Sequence, residues 1–373
     1  MLKVATICSG IGAPEKALTN LGIQYELVCF SEIDEAAIKS YCAIHSISRS
    51  KNFGSLTDVN IKPVPLDIDL LIGGTPCQSF STAGKGEGGD EGSGTKSSLM
   101  WSYLQFIALS RPKVVVWENV PGVLSQKHLH NFRKFYFALM AYGYHVYSDV
   151  LNAKYFNIPQ NRERLFLIGI QKNVDCGFEF PQGYDSGVRI KHILQNEPAS
   201  PLNQKFLQNL ILFKSSVGLN SHRIIRCGDL NRSKFSQDNS VISIEGISEC
   251  LMRRNDSVTG TKIYDNRDGN NAIVRRYTPK ESLRLMGFSD NDYQNCKYKT
   301  VDGKLTEYSR DSELYAQAGN SIVVTVLMAI FGVLYGIEDW EKRVYKERKK
   351  TLEQLIKELP LFKFLAEQER DAS

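Results

Sequence analysis

The 373-residue sequence contains no CxxC pair among its eight cysteines (Cys8, Cys29, Cys42, Cys77, Cys176, Cys227, Cys250 and Cys296) and no cysteine spacing that binds zinc. That scatter fits a reducing cytoplasm, where few of the thiols have a special role. The sequence also lacks an apolar run long enough to span a bilayer. The longest, residues 322–337, is interrupted by Thr325 and Gly332 and falls short of the ~18–20 residues required. The opening MLKVATIC lacks the basic-then-apolar layout of a secretory signal and reads as a strand. No internal repeat is visible, and neither charge sign dominates: 46 basic and 41 acidic residues give +5, too little to define a partner. What is present, 42% hydrophobic and 23% charged residues, excludes a mainly disordered or collagen-like chain. The length suffices for two or three domains.

Apolar runs at residues 3–8, 26–31, 69–73, 113–118, 145–151 and 164–170 read as strands. Several are continuous and β-branched, as expected of parallel strands covered on both faces. Between them, residues 14–21, 34–45, 98–110 and 130–141 place apolar side chains at helical spacing. This alternation predicts an α/β fold with a doubly wound, mainly parallel sheet. From residue 178 the texture changes, and residues 186–271 are rich in Asn, Ser and Arg without a clear period. That stretch holds 12 basic and 8 acidic residues, so a net +4 of the excess charge sits there. Helical patterns return at residues 279–286 and 321–335. The expected organisation is therefore one domain from residues 1–177 and 272–337, a smaller inserted domain at 178–271, and a charged helical tail at 338–373. In the tail, Val344, Leu352, Leu355, Leu359 and Phe362 lie among dense charges, as in an amphipathic helix that packs on the body or, as the lesser alternative, binds a partner.

Four motifs stand at strand ends. Cys8-Ser9-Gly10-Ile11-Gly12-Ala13 follows the first strand and opens a helix, whose free N–H groups and glycines allow a ligand to approach. Glu32 ends the second strand, where such folds bind a ribose. Gly73-Gly74-Thr75-Pro76-Cys77-Gln78-Ser79 ends the third, placing a thiol where ligands bind and not in the core. The six glycines between residues 84 and 94 beyond it have the composition of a lid or of a surface loop. Trp117-Glu118-Asn119 ends the fourth strand, with a carboxyl group that burial can keep protonated near neutral pH. Gln160-Asn161-Arg162-Glu163-Arg164 enters the last strand with two guanidinium groups at i, i+2.

Taken in order, these pieces resemble the cytosine-C5 DNA methyltransferases of bacterial and phage restriction–modification systems. Pro76-Cys77-Gln78 and Glu118-Asn119-Val120 are similar to the two signature motifs, and Gln160–Arg164 to the QxRxR motif. Arg275-Arg276-Tyr277-Thr278-Pro279 with Glu281, and Gln317-Ala318-Gly319-Asn320-Ser321, are similar to the closing motifs. The resemblance covers residues 3–175 and 272–335. It implies a Rossmann-like methyltransferase domain with an inserted target-recognition domain, S-adenosyl-L-methionine as cofactor and S-adenosyl-L-homocysteine as product. It further implies methylation of carbon 5 of a flipped-out cytosine through a covalent bond from Cys77 to carbon 6. Glu118, Arg162 and Arg164 complete the implied catalytic set. Ser9, Gly10, Ile11, Gly12, Ala13, Glu32, Ile33, Ser55, Leu56, Pro76, Leu99, Asn320 and Ser321 are the implied cofactor contacts. Gln78, Ser79, Asn119, Gln160, Arg253 and Arg254 are the implied substrate contacts, with no metal. Arg223, Arg226, Arg232 and Arg267 are further candidates for base or phosphate contacts. The implied partners are double-stranded DNA and a restriction endonuclease acting on the same site, for a monomeric enzyme away from any membrane.

The sequence departs from the family pattern at Cys8, usually aromatic, at Ala13, often glycine, and at Gly54-Ser55-Leu56, where an acidic residue near the adenine is usual. Asp58 is close but out of register. Three other readings compete. A transfer-RNA cytosine methyltransferase resembles the same scaffold but carries a Cys-Phe-Thr segment that this sequence lacks. A catalytically idle DNA-binding regulator leaves the intact Cys77, Glu118 and Arg164 without a purpose. A nicotinamide oxidoreductase shares the first turn and explains neither Pro-Cys-Gln nor the late motifs.

Overall fold

A computed structural model describes residues 1–76, 80, 88–197, 199–212, 222–231, 236–253 and 260–345, with backbone only at 236, 237 and 270. Its main sheet contains β1 (Leu2–Ile7), β2 (Tyr25–Ser31), β3 (Leu70–Gly74), β4 (Val114–Asn119), β5 (Tyr144–Asn152) and β6 (Glu163–Gln171) in the order β2-β1-β3-β4-β6-β5. Neighbours from β2 to β4 are parallel, while β6 runs antiparallel to β4 and β5. The helices that cover it are α1 (Ala13–Asn20), α2 (Glu35–His45), α3 (Leu99–Ser110) and α4 (Leu129–Ala141), joined later in the chain by others. Those are the single turns α5 (Gln204–Leu207) and α6 (Ser236–Asn239), then α7 (Pro279–Arg284), α8 (Asp290–Lys297), α9 (Asp311–Asn320) and α10 (Val324–Leu334).

Strand alternation explains why the apolar runs are unbroken. Val4, Leu70, Ile72, Val114 and Val116 face the core shared with α1 and α10, whereas Ala5, Ile7, Leu71, Val115 and Trp117 face the core under α3 and α4. Both faces are dry, so neither tolerates a polar register. By length and composition Asp311–Leu334 is the one described stretch able to cross a bilayer. It breaks between α9 and α10, and 72% of its most apolar window is buried inside the protein, which makes it core helix.

A second sheet has the order β11-β10-β9-β8-β7, formed by β7 (Ile211–Leu212), β8 (Arg226–Asp229), β9 (Ser240–Ser243), β10 (Lys262–Asp265) and β11 (Ile273–Arg276). Leu202, Cys227, Leu230, Val241 and Val274 fill a small core of its own. Its last strand, β11, lies beyond residue 271, at which the compositional texture changes. An exposed hairpin of β12 (Tyr298–Val301) and β13 (Lys304–Glu307) turns at Asp302-Gly303, with φ of +49° and +74°. Of the tail, Val344 and Tyr345 join the main core, and Asn157 Nδ2 donates to the Val344 carbonyl at 3.1 Å. The rest of the expected tail helix lies outside the described residues.

The return from the second sheet to the main domain is fixed by a buried ion cluster. Arg275, 1% exposed, donates to both Glu281 oxygens at 2.8 and 2.9 Å and to Asp265 at 2.9 Å. Glu281 also accepts from Thr278 N at 2.9 Å, closing the capping box that starts α7 behind Pro279. Breaking a buried pair on one side leaves a charge without compensation. Glu281→Gln is therefore expected to destabilise the protein by about 3–5 kcal/mol, read as a lower urea midpoint in tryptophan fluorescence.

Candidate active site

The strand order reverses between β1 and β3, and open α/β sheets hold ligands at such a point, outside the carboxyl ends of the strands. A cavity there is lined by Thr6, Cys8, Ser9, Gly10, Ala13, Gly74, Glu118, Asn320 and Ser321, among others. It thus gathers Ser9, Gly10, Ala13, Asn320 and Ser321 of the predicted cofactor set and Glu118 of the predicted catalytic set.

The first turn is held open by left-handed backbone. Cys8, Gly10 and Gly12 have φ of +50°, +54° and +78°. At Gly12 a Cβ would lie 2.1 Å from His45 Nε2, so both conformation and space demand glycine. Ile11, 1% exposed, anchors the turn in the core. Gly10 N donates to Glu32 Oε2 at 2.9 Å, and Ile33 and Asp34 N–H groups donate to Oε1 at 2.8 and 2.9 Å. A carboxylate offers about four acceptor sites, so Glu32 keeps room for a hydroxyl. Ile33 itself is 70% exposed. Asn52 clamps the neighbouring loop through Glu32 N, Glu32 O and Gly54 N, and Ser31 Oγ donates to Gly54 O at 2.7 Å. Ser55 caps the turn that follows, Leu56 is 3% exposed in the core, and Asp58 pairs with Lys62. Cys8 was not among the expected contacts. Burial, helped by the Glu32 charge, pushes its thiol up to about 12, so a neutral thiol lines the cavity.

Glu118 closes β4. It is 8% exposed, and its Oε1 lies 3.0 Å from Arg164 Nε. Burial pushes the carboxyl above its usual range, against the lowering pull of Arg164 and Arg162. Space for it comes from β3: a Cβ on Gly74 would lie 2.6 Å from Glu118 Oε2. Arg162, in contrast, does not touch Glu118. It is 4% exposed, with Nη1 donating to Leu251 O at 3.2 Å and Cys250 Sγ at 3.4 Å, and Nη2 to Gly319 O at 3.0 Å and Ser321 O at 2.8 Å. Arg162 is thus a brace between the two sheets and the end of α9.

Two expected substrate contacts have their amides engaged within the protein. Asn119, 1% exposed, donates to Thr75 O at 3.2 Å and Oγ1 at 3.4 Å, and its Oδ1 accepts from Val120 N at 2.9 Å. Gln160, 0% exposed, donates to Leu285 O at 3.0 Å and accepts from Leu251 N at 2.9 Å. Both amides are committed within the protein, because a strand end and an interdomain strap each leave buried backbone groups to satisfy. Thr75 was missed, although its hydroxyl also accepts from Trp117 Nε1 at 2.9 Å. A hydroxyl beside two glycines gave no signal beyond a turn.

Pro76 O accepts from Ser97 Oγ at 2.9 Å, just before Leu99, which is half-buried at the start of α3. Cys77, Gln78, Ser79, Arg232 and Arg254 lie outside the described residues, as do Gly84 and Gly86 of the glycine-rich segment. The described part of that segment is anchored: Gly89 O accepts from Trp101 Nε1 at 2.7 Å, and Asp90 accepts from His130 and Asn131. Arg223 and Arg253 are exposed, whereas Arg226 pairs with Asp229 and Arg267 with Asp265.

A doubly wound, mainly parallel sheet with a glycine turn, a strand-end acid and a buried Glu–Arg pair around one cavity defines a Rossmann-like methyltransferase domain. Residues 2–336 match the model of the C-5 cytosine-specific DNA methylase family. The chain belongs to that family and is a DNA (cytosine-5-)-methyltransferase of the bacterial and phage type, transferring a methyl group from a donor to DNA. It is 30% identical to orphan methyltransferase M.SPRI of Bacillus phage SPR, over 88% of this chain and 96% of that one. It is 28% identical to type II methyltransferase M.HhaI of Haemophilus parahaemolyticus, over 88% and 93% of the two chains. Among solved structures, Dnmt2 methyltransferase of S. pombe has the same fold, with a TM-score of 0.62 and 18% identity over 91% of this chain and 100% of that one.

Gly74→Ala should force the Glu118 carboxylate from its place against Arg164. Methyl transfer to DNA is expected to fall by about tenfold or more, while overpacking costs about 1–3 kcal/mol. Comparing initial rates with thermal unfolding of the same variant checks both.

Proposed function

We propose that the enzyme methylates carbon 5 of cytosine within a specific sequence of double-stranded DNA, with S-adenosyl-L-methionine as donor and Cys77 as covalent nucleophile. The observation that carries this reading is the buried Glu118 carboxyl, 3.0 Å from Arg164, opening on the cavity of the glycine turn. The donor set around that cavity suits the cofactor. The Ser9 hydroxyl and the Asn320 and Ser321 side chains offer polar partners to an amino-acid end, and Glu32 at the end of β2 offers an acceptor to a ribose. S-adenosyl-L-methionine, when bound, supplies the electrophilic methyl group that carbon 5 takes up.

The residues of the chain prepare that carbon. Cytosine carbon 5 is a weak nucleophile until a thiolate adds at carbon 6. The Cys77 thiolate forms that bond, and the displaced electron pair moves toward N3. Glu118 donates its proton to N3 as charge builds there, which requires the carboxyl to be protonated first. Burial favours that protonated state. Arg164, fixed on Glu118, orients the carboxyl and holds the base. After methyl transfer, water takes the carbon-5 proton, the freed electron pair re-forms the carbon 5–carbon 6 double bond, Cys77 leaves as thiolate, and Glu118 recovers its proton from N3. A stacked base is out of reach, so the cytosine must leave the duplex. The region of the second sheet, with Arg223 and Arg253 exposed on its connections and Arg254 next to Arg253 in sequence, serves in this reading as the target-recognition domain. A restriction endonuclease of the same specificity would be the functional partner.

Labelled S-adenosyl-L-methionine should deliver its methyl group to duplex DNA, and Cys77→Ser should abolish turnover. Duplex DNA with 5-fluorocytosine at the target should trap a denaturation-resistant complex with the unaltered protein only. Glu118→Gln should reduce kcat by about 10²-fold or more. Methylation of RNA alone, or turnover by Cys77→Ser, would refute the proposal.

A further inference from the structure

A second thiol stands at the reaction centre. Cys250 lies on the Ser248–Arg253 strap, by which the second sheet grips the main domain: Ser248 N donates to Pro159 O at 2.7 Å, Asn161 N to Ser248 O at 2.8 Å, and Leu251 N to Gln160 Oε1 at 2.9 Å. These bonds are backbone-directed and fix the register of the strap. They bring Cys250 Sγ to 3.4 Å from Arg162 Nη1 and 3.9 Å from Arg164 Nη2. Arg164 holds Glu118 through Nε at 3.0 Å, on the guanidinium edge that also carries Nη2. The sulfur, Arg164 and Glu118 therefore form one chain, and no other sulfur among the described cysteines contacts a guanidinium.

We propose that Cys250 is a positioning residue for base activation: its sulfur accepts from both guanidiniums and keeps Arg164 aimed at Glu118. This rests on the functional reading of Glu118 given above. A guanidinium presents its donors in a rigid plane, so a partner at Nη2 limits the rotation that would swing Nε off the carboxylate. The charged groups that face the sulfur are Arg162 and Arg164, with Glu118 behind Arg164. Burial pushes the Cys250 thiol up, but the two guanidiniums outweigh it, and the thiol lies below its ordinary value. An anionic sulfur would draw off part of the positive charge that otherwise lowers Glu118, leaving the carboxyl better able to keep the proton it must donate. The thiol also has an acceptor of its own in Leu251 O at 3.8 Å, so either protonation state is accommodated.

Two measurements on the full chain test this. In Cys77→Ser, the pH dependence of iodoacetamide alkylation at Cys250, followed by peptide mass spectrometry, should have its midpoint below the ~8.5 of a free thiol. Arg164→Gln should raise that midpoint. In the otherwise unaltered enzyme, Cys250→Ala should lower kcat about tenfold, the loss of one hydrogen bond to a charged group, with KM for DNA unchanged. The alkaline limb of its rate profile should move to lower pH, and Cys250→Ser, which restores an acceptor, should recover most of the rate. A Cys250 midpoint at or above that of a free thiol, or a Cys250→Ala enzyme with unchanged kcat and pH profile, would overturn the proposal. The midpoint is read without methyl transfer. A protein inactive on DNA but with a depressed midpoint would therefore refute the functional reading and still support the sulfur–guanidinium arrangement.

Discussion

A guanidinium removed from water must find acceptors in the protein, and the arrangement around Arg162 follows from that requirement. Its terminal nitrogens reach three carbonyls and a sulfur, which belong to the strap of the second sheet and to the turn after α9. Neither segment is near Arg162 in sequence. Backbone carbonyls in a dry interior need donors as much as the guanidinium needs acceptors, so the contact is mutual. The same side chain thereby sets the position of Ser321 on the cavity wall and of Cys250 beside Arg164. Substituting lysine would keep the charge but not the fork, and a point charge cannot serve carbonyls on two separate segments at once.

Holding two guanidiniums and one carboxyl in the same buried region creates a charge problem that the site uses. Burial raises the Glu118 carboxyl above its ordinary value, whereas Arg162 and Arg164 pull the other way, and burial is the larger effect. At Cys250 the balance reverses: burial opposes ionisation, and the same two cations overcome it. One pair of arginines thus shifts a carboxyl and a thiol in the same downward direction, with opposite net results set by how each group is placed. Cys8, buried and beside the Glu32 carboxylate, goes up instead.

The main sheet was legible because both faces of its inner strands are dry. Unbroken runs such as Val114–Asn119 have no polar alternation to confuse the assignment, and each predicted strand from β1 to β6 is present. The same property hid the reversal of β6, since a strand buried on both faces reads alike in either direction. The second sheet was not legible: its strands have two to four residues, β8 is bulged against β9, and much of its stabilisation comes from the main core through Ile242, Ile244 and Ile263. The Asp302-Gly303 turn of the exposed hairpin was in plain sight and went unread, because its flanks, Val301 and Lys304, show no apolar alternation. At the candidate site, residue types singled out Glu118 and Arg164, which the fold pairs at 3.0 Å. They could not separate side chains that face a ligand from those that support the backbone. Asn119 and Gln160 sit in motifs with chemistry, yet their amides satisfy buried backbone groups.

That division between reacting and supporting groups is sharpest around Thr75. Trp117 is fully buried on the α3 side of the sheet, and its indole N–H must have an acceptor there. The Thr75 hydroxyl meets that need, and Asn119 then ties the Thr75 carbonyl to the end of β4. With Pro76 held by Ser97, the chain leaves β3 from a mount fixed on three sides, immediately before the Pro76-Cys77 bond. Within the glycine-rich segment it is caught again at Gly89 and Asp90 by α3 and α4. Buried indole and amide groups therefore fix where the chain leaves β3.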